Sequence, residues 1–171
     1  MLKQGDQLPG GVLVEYVEQA TEGCSIGPQP VDVHAALAGK TVAILALPGA
    51  FTPTCSAQHL PAYIEQQAAF KAAGVDEIWC ISVNDPFVMA AWGREQGAAG
   101  KVRMLADGSA AYTQALGMVF DLTAKGFGVR SQRYSMLVVN GVVQALNLDA
   151  PGKFEVSDAA TLLKQAQGLT H

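Results

Sequence analysis

The residue whose type and position could do the most chemistry is Cys55, which ends the eight-residue run PGAFTPTC. This run follows an apolar segment, residues 41–47, and precedes a segment with helical periodicity. A cysteine at such a strand-to-helix turn lies in the first turn of the helix. Unpaired N–H groups and the positive end of the helix dipole favour a thiolate there. Cys55 is therefore a candidate nucleophile, and the alternative is a buried, inert cysteine.

The residues around Cys55 favour the functional alternative. Thr52 supplies a hydroxyl three positions earlier, and Pro48 and Pro53 flank it. A core position would not need two prolines and two threonines beside it. Cys80, in contrast, lies in the middle of an apolar strand-like segment, where a buried cysteine is the simpler interpretation.

His59 follows Cys55 by four residues, so the two side chains could share a helix face. A Cys/His metal site needs further ligands, and only His34 and His171 remain as histidines. A cysteine protease needs a separately oriented base, and a histidine on the nucleophile's own helix suits that role poorly. We expect neither a metal nor a protease site.

Composition limits the class of protein. The chain has 171 residues, half of them apolar, which predicts one domain over residues 1–171. The net charge is −4 with no basic run, which argues against a nucleic-acid partner. No apolar stretch reaches membrane-spanning length, and the first residues resemble neither a signal nor a transit peptide. Three cysteines, an odd number, fit a reducing compartment, so we expect a cytoplasmic protein without a membrane partner.

Strand and helix patterns alternate along the chain. Segments 10–18 and 31–37 predict an N-terminal strand pair around a Gly/Pro-rich loop. A buried strand over 41–47 leads into a helix from Pro53, in which Pro61 should cause a kink near Ala57. Further predicted elements are a strand over 76–83, a helix capped by Asp85, a strand over 102–106, a short helix ending near Gly117, a hairpin of 134–139 with 142–148 turned by Asn140-Gly141, and a final helix capped by Ser157. This order predicts an α/β sandwich with a central mixed sheet and an N-terminal strand extension.

The spacing P-x-x-x-T-x-x-C resembles the active-site loop of the peroxiredoxins, most closely their type II, or atypical, subgroup. Further matching segments are S-x-x-H-L-P from Ser56, ISVNDPFVM from Ile81, KVR from Lys101 with LAD from Leu105, and RYSM from Arg133. The resemblance spans roughly the whole chain. It implies a thioredoxin-like fold and a thiol peroxidase that reduces hydroperoxides without metal, haem or flavin.

The resemblance also implies roles for individual residues. Cys55 would be the peroxidatic nucleophile, with Thr52 and Arg133 binding the peroxide and Pro48 shielding the thiolate. Residues implied to support this pocket are Gly49, Thr54, His59, Phe127 and Arg130. From the sequence alone Arg133 would pass for a solvated strand-end arginine.

The recycling partner depends on a second cysteine. Cys80 lies 25 residues after Cys55, the spacing of the resolving cysteine proposed for plant members. Animal members carry theirs before the last helix, where residues 152–158 contain no cysteine here. The chain thus resembles the bacterial branch reduced by glutathione or glutaredoxin. An enzyme recycled by thioredoxin through Cys80 stays open, and Cys24 matches no known role.

The resemblance implies a homodimer formed through the active-site face, with Phe51, Phe87 and Trp92 as candidate exposed contacts, and the alternative for each of them is a position in the core. Two other classes of protein share the expected fold. A disulfide reductase needs a C-x-x-C pair, which this sequence lacks. A peroxide sensor would use the same sulfenate to switch a partner, and only turnover separates it from an enzyme.

Overall fold

The computed structural model describes residues 2–19 and 25–169. The strands in these residues are β1 (Val12–Val17), β2 (Gly27–Asp32), β3 (Thr41–Leu47), β4 (Glu77–Ser82), β5 (Arg103–Ala106), β6 (Val119–Leu122), β7 (Gly128–Ser131), β8 (Tyr134–Val139) and β9 (Val142–Leu148). The α-helices are α1 (Val33–Leu37), α2 (Leu60–Glu65), α3 (Gln67–Ala72), α4 (Pro86–Gln96), α5 (Ala111–Ala115) and α6 (Ala159–Gln167). A π-helical turn covers Cys55–His59, and a 3₁₀ turn covers Thr123–Lys125.

Seven strands form one mixed sheet in the order β2-β1-β5-β4-β3-β8-β9. The central strands β3, β4 and β5 run parallel, and the outer pairs are antiparallel. The expected central mixed sheet is therefore confirmed. The PGAFTPTC run follows the carboxyl end of the central strand β3. Because β8 runs antiparallel to β3, the start of β8 lies beside this run.

Both faces of the sheet are covered, which explains the unbroken apolar character of β3. Alternate residues of β3 enter opposite cores: Ile44 packs with α1 and α5, and Leu45 packs with α2, α3, α4 and α6. The side of Leu45 also holds Cys55 and Cys80. The α/β sandwich predicted from the element order is thus the observed architecture.

The N-terminal strand pair was predicted correctly in kind but wrongly in position. β2 occupies Gly27–Asp32 and so begins within the expected Gly/Pro-rich loop, residues 23–30, whereas residues 33–37 form α1 instead of a strand. Asp32 explains the helix, because its carboxylate accepts from the Ala35 N–H at 3.0 Å and caps the first turn. Two prolines are tolerated in β2 because it lies at the edge of the sheet.

The cap of the last helix was also predicted wrongly. Asp158, not Ser157, is the N-cap of α6, and its carboxylate accepts from the Thr161 N–H at 3.2 Å. Ser157 is fully buried, and its hydroxyl donates to Asp149. Other local predictions hold. Asp85 caps α4, and Asn140 and Gly141 turn the β8–β9 hairpin with positive φ angles of 48° and 80°.

A small second sheet, β6 with β7, was not predicted from the sequence. Its strands have only four residues each and no apolar alternation. This hairpin nevertheless delivers Arg130 from β7 and Phe120 from β6 to the region around the PGAFTPTC run.

Candidate active site

Cys55 lies where the sequence predicted, in the first turn of a helix that starts at Pro53. The backbone N–H of Ser56 already donates to the carbonyl of Thr52 at 2.9 Å. The helix then widens into the π turn, in which the Leu60 N–H donates to the carbonyl of Cys55. Pro61 has no N–H to donate, and the predicted interruption of the helix takes this form.

Arg133 joins the thiol to a histidine. Its Nη2 donates to Cys55 Sγ at 3.2 Å, and its Nη1 donates to His59 Nδ1 at 2.8 Å. Arg133 comes from the residue before β8, so the antiparallel pairing of β8 with β3 brings it beside the active-site run. A guanidinium keeps its charge and can address two acceptors at once. The arrangement therefore places a permanent positive charge against the sulfur.

The contacts of His59 define its tautomer. Arginine cannot accept a hydrogen bond, so Nδ1 must be the acceptor and Nε2 must carry the proton. Nε2 accordingly donates to the carbonyl of Ser157 at 3.0 Å. Burial, and next the charge of Arg133, lower the pKa of His59 to about 3. The imidazole is thus neutral at physiological pH, and it orients Arg133 without competing for positive charge.

The buried imidazole predicts acid sensitivity. Between pH 6.5, the usual histidine pKa, and about 3, the unfolded chain binds a proton that the native state does not. Stability must therefore fall as the pH falls through this window. We expect the free energy of unfolding to decrease by about 2 kcal/mol between pH 7 and pH 5 from this group alone. Urea unfolding at both pH values measures it. A His59→Gln variant should lose this component, and an unchanged pH dependence in that variant would contradict the assignment.

Hydrogen bonds to backbone carbonyls fix the loop that precedes Cys55. The Thr52 hydroxyl donates to the carbonyl of Gly49 at 2.7 Å. Arg130 Nη1 donates to the carbonyls of Pro48 at 3.5 Å and Val83 at 3.4 Å. A Cβ atom at Gly49 would lie 2.9 Å from Arg130 Nη1, so a larger residue at this position would displace the guanidinium from these carbonyls. Arg130 therefore shapes the loop, whereas Arg133 contacts the sulfur.

The tip of the run bends sharply at Phe51, which has a φ of 64° and is half exposed. The Ala50 N–H donates to Asn84 Oδ1 at 3.0 Å, and that amide oxygen also accepts from the Ser82 hydroxyl. The loop is thereby fixed to the carboxyl end of β4. A non-glycine residue in this left-handed region is a strained position of the kind that functional sites often carry.

A pocket of about 170 Å³ opens beside the thiol. Its wall includes Pro48, Thr54 and Arg133, together with residues of β6 and of the segment before α6. Cys55 itself is fully buried, and Arg133, which contacts its sulfur, forms part of the pocket wall. The remaining lining residues are Phe120, Gln132, Asp149, Ala150, Pro151, Gly152, Lys153 and Phe154.

The other predicted residues have mixed outcomes. Phe127 is 58 % exposed and contacts the site through its carbonyl, which accepts from Arg130 Nε at 2.9 Å. Phe51 and Phe87 are exposed, as expected. Trp92 was wrongly expected at the surface: it is fully buried, and its indole N–H donates to the Ser56 hydroxyl at 2.9 Å. Cys24 lies outside the described residues.

Cys80 is fully buried in β4, between Leu45 of β3 and Met104 of β5. Burial, and then the nearby Cys55, raise the pKa of the Cys80 thiol well above its usual range. A protonated thiol in the interior is a poor attacking group for a sulfenic acid on another element.

Sequence reasoning missed three residues near the site: Asp149, Phe154 and Ser157. The Phe154 ring lies 5.6 Å from Arg133 Cζ, and the Ser157 carbonyl accepts from His59. No motif marked them, because their contacts depend on how the segment before α6 folds.

Within residues 2–19 and 25–169, no helix is long and apolar enough to cross a membrane. The same residues contain no cluster of three or more potential metal ligands.

Comparison with known proteins identifies the class to which this arrangement belongs. The redoxin family matches residues 3–163. The chain is 48 % identical to peroxiredoxin-2C of Oryza sativa subsp. japonica over 160 residues, which cover 94 % of this chain and 95 % of that protein. The chain therefore belongs to the redoxin family, within its type II peroxiredoxins.

Solved structures support the same assignment. Reduced Prx3 of Vibrio vulnificus in complex with H₂O₂ has a TM-score of 0.89 and 48 % identity, with coverage of 97 % of this chain and 99 % of that chain. A Burkholderia cenocepacia protein described provisionally as a thioredoxin reductase has a TM-score of 0.96 and 57 % identity, covering 100 % and 99 %. The fold is thus the thioredoxin-like peroxiredoxin fold. Its activity is that of a thiol peroxidase, an oxidoreductase that acts on peroxides.

Proposed function

We propose that this peroxiredoxin reduces hydrogen peroxide and alkyl hydroperoxides at Cys55. The observation that carries the proposal is the 3.2 Å contact from Arg133 Nη2 to Cys55 Sγ. The thiolate would attack one peroxide oxygen, the O–O bond would break, and the second oxygen would leave as water or an alcohol after protonation. Cys55 would become a sulfenic acid.

Arg133 and Thr52 have different roles in this proposal: Arg133 stabilises negative charge, and Thr52 orients the peroxide. The guanidinium stabilises the thiolate before attack and the negative charge that develops on the departing oxygen. The Thr52 hydroxyl proton is directed at the Gly49 carbonyl. Thr52 Oγ1 is thus available as an acceptor for the peroxide O–H, which would orient the peroxide for attack. Pro48 keeps bulk water from the thiolate.

Apolar residues beside the site support alkyl hydroperoxides as further substrates. Apolar surfaces of Pro48, Phe120, Pro151 and Phe154 border the route to Arg133. An organic group of a few carbons would bury against these residues while its peroxide oxygens meet Arg133 and Thr52.

Glutathione or glutaredoxin is the proposed reductant. A glutathione thiol would attack the Cys55 sulfenic acid, release water and form a mixed disulfide, which a second thiol or glutaredoxin then clears. The basis is the buried, protonated state of Cys80 and the absence of cysteine from residues 152–158. We further propose a cytoplasmic homodimer, for which the exposed rings of Phe51, Phe87 and Phe127 supply apolar surface near the site.

Peroxide consumption with glutathione plus glutaredoxin, compared with thioredoxin as electron donor, tests the proposal. Sustained turnover with glutathione and glutaredoxin supports it. Preference for thioredoxin overturns the recycling route while leaving the peroxidase chemistry. A single stoichiometric oxidation with either donor would instead indicate a peroxide sensor.

We predict that Cys80→Ser keeps most of the glutathione-dependent turnover, because Cys80 is not the resolving residue. Mass spectrometry after one equivalent of peroxide should find a sulfenic acid or, with glutathione present, a glutathione adduct on Cys55. Quantitative formation of a Cys55–Cys80 disulfide, together with loss of activity in Cys80→Ser, would replace this route with the two-cysteine mechanism.

A further inference from the structure

A single carboxylate closes the segment between β9 and α6, residues 149–157, which we call the Asp149 loop. Asp149 Oδ1 accepts from the N–H groups of Glu155 at 3.0 Å and Val156 at 2.7 Å, and Oδ2 accepts from the Ser157 hydroxyl. Burial alone would raise the pKa of Asp149, but these hydrogen bonds outweigh it and hold the pKa below its usual range. The side of the loop near α6 is therefore fixed by three donors to one ionised group.

The closed loop contacts the active-site pair of Arg133 and His59 at three points. The Ser157 carbonyl accepts from His59 Nε2 at 3.0 Å. The Phe154 ring lies 5.6 Å from Arg133 Cζ and 5.0 Å from the imidazole centre. The backbone N–H of Asp149 donates to the carbonyl of Arg133 at 3.0 Å.

The orientation of Arg133 depends on these neutral partners. Within the described residues, its guanidinium forms no ion pair with a carboxylate. A direct carboxylate would orient the guanidinium but would also cancel much of the charge that the thiolate needs. A neutral imidazole and an aromatic face orient it without that loss. The negative charge lies instead on Asp149, whose carboxylate accepts hydrogen bonds from the loop and not from the guanidinium of Arg133.

We propose that Asp149 is a positioning residue for peroxide reduction. By closing the loop it fixes the Ser157 carbonyl and the Phe154 ring, which hold His59 and Arg133 in the geometry that contacts Cys55. The proposal rests on the proposed role of Arg133 at the thiolate and adds the residue that orients the Arg133 side chain. Although Asp149 borders the pocket, its carboxylate is engaged by the three donors of the loop and not by the sulfur.

The test is Asp149→Ala in the full-length reduced protein. Two quantities are measured: the pH dependence of Cys55 alkylation, with the adduct located by mass spectrometry, and the single-turnover rate with hydrogen peroxide. We expect the alkylation profile to move to higher pH and the peroxide rate to fall at least about tenfold, part of the loss expected when one donor to a developing oxyanion is removed.

Asp107 provides a matched control. Its carboxylate is as buried as that of Asp149 and also accepts three bonds, from the N–H groups of Tyr112 and Thr113 and from the Thr113 hydroxyl. Asp107→Ala therefore removes an equivalent set of three hydrogen bonds to one buried carboxylate, and none of the three involves His59 or Arg133. We expect it to lower the melting temperature without moving the alkylation profile.

A double-mutant cycle separates positioning from general destabilisation. If Asp149 acts through Arg133, adding Asp149→Ala to Arg133→Ala should cause little further loss of peroxide rate. Additive losses, or a lower melting temperature with an unchanged alkylation profile in Asp149→Ala, would overturn the proposal. An unchanged profile in Arg133→Ala alone would instead remove the role of Arg133 at the thiolate, on which this proposal rests, while leaving Cys55 as the nucleophile.

Conservative variants cover the case in which Asp149→Ala does not fold. Asp149→Asn keeps an oxygen for the Glu155 and Val156 N–H groups, so it should retain most of the peroxide rate. Ser157→Ala removes one of the three donors and should move the alkylation profile in the same direction by a smaller amount. An unchanged profile in Ser157→Ala, or an Asn variant that has lost as much rate as Arg133→Ala, would contradict the positioning role.

Discussion

Replacing Cys55 by serine is expected to abolish peroxide reduction. A hydroxyl of nearly the same size can occupy the buried position, but it stays protonated beside Arg133 and cannot attack the O–O bond. The measurement is peroxide consumption with glutathione and glutaredoxin. The loss should reach the uncatalysed background, because Cys80, the other thiol in the described residues, is buried in β4 and is not the sulfur that Arg133 contacts.

Cys24→Ser is the control for this experiment and should keep near wild-type activity. Circular dichroism should show the same fold for both variants, so that loss of activity reports chemistry. Turnover that persists in Cys55→Ser would require another nucleophile and would remove the basis of the proposed function.

Arg133→Ala is expected to have the next largest effect. Removing a donor to a developing oxyanion costs roughly 3 kcal/mol, or about a hundredfold or more in rate. The variant also loses the positive charge beside the sulfur, so alkylation of Cys55 should need a higher pH. Stopped-flow reaction with hydrogen peroxide and the pH profile of alkylation measure the two effects separately.

Arg94→Ala controls for the loss of one positive charge, since Arg94 pairs with Glu18 at the surface. Arg133→Lys should recover part of the alkylation profile and little of the rate, because a lysine cannot address Cys55 and His59 together. If Arg133→Ala leaves the alkylation profile unchanged, the electrostatic role belongs elsewhere, and Arg130 would be the residue to examine.

The sequence predicted the parts of the molecule that local chemistry determines. The apolar run into Cys55, the Asp85 cap and the Asn140-Gly141 turn each depend on a few adjacent residues, and each appears as expected. The type II peroxiredoxin assignment rested on motifs spread along the chain. Arg133 was singled out only through that resemblance, because its sequence neighbours give no sign of the sulfur it contacts.

The errors lie where distant segments compete with local preference. Ser157 was expected to cap α6, but the buried carboxylate of Asp149, eight residues earlier, accepts its hydroxyl, and the adjacent Asp158 caps the helix instead. Trp92 was expected at the surface, yet the active-site helix covers it and Ser56 accepts its indole proton. Such choices depend on tertiary packing, which periodicity does not report.

The position of Pro28 and Pro30 in β2 has a consequence for solubility. Residues two apart in a strand direct their nitrogens to the same side, and proline is accommodated in a sheet where that side is the open edge. The β2 edge of the seven-stranded sheet therefore lacks two of the hydrogen-bond donors that an incoming strand would need. Two prolines thus disfavour pairing of this edge strand with the sheet of another molecule.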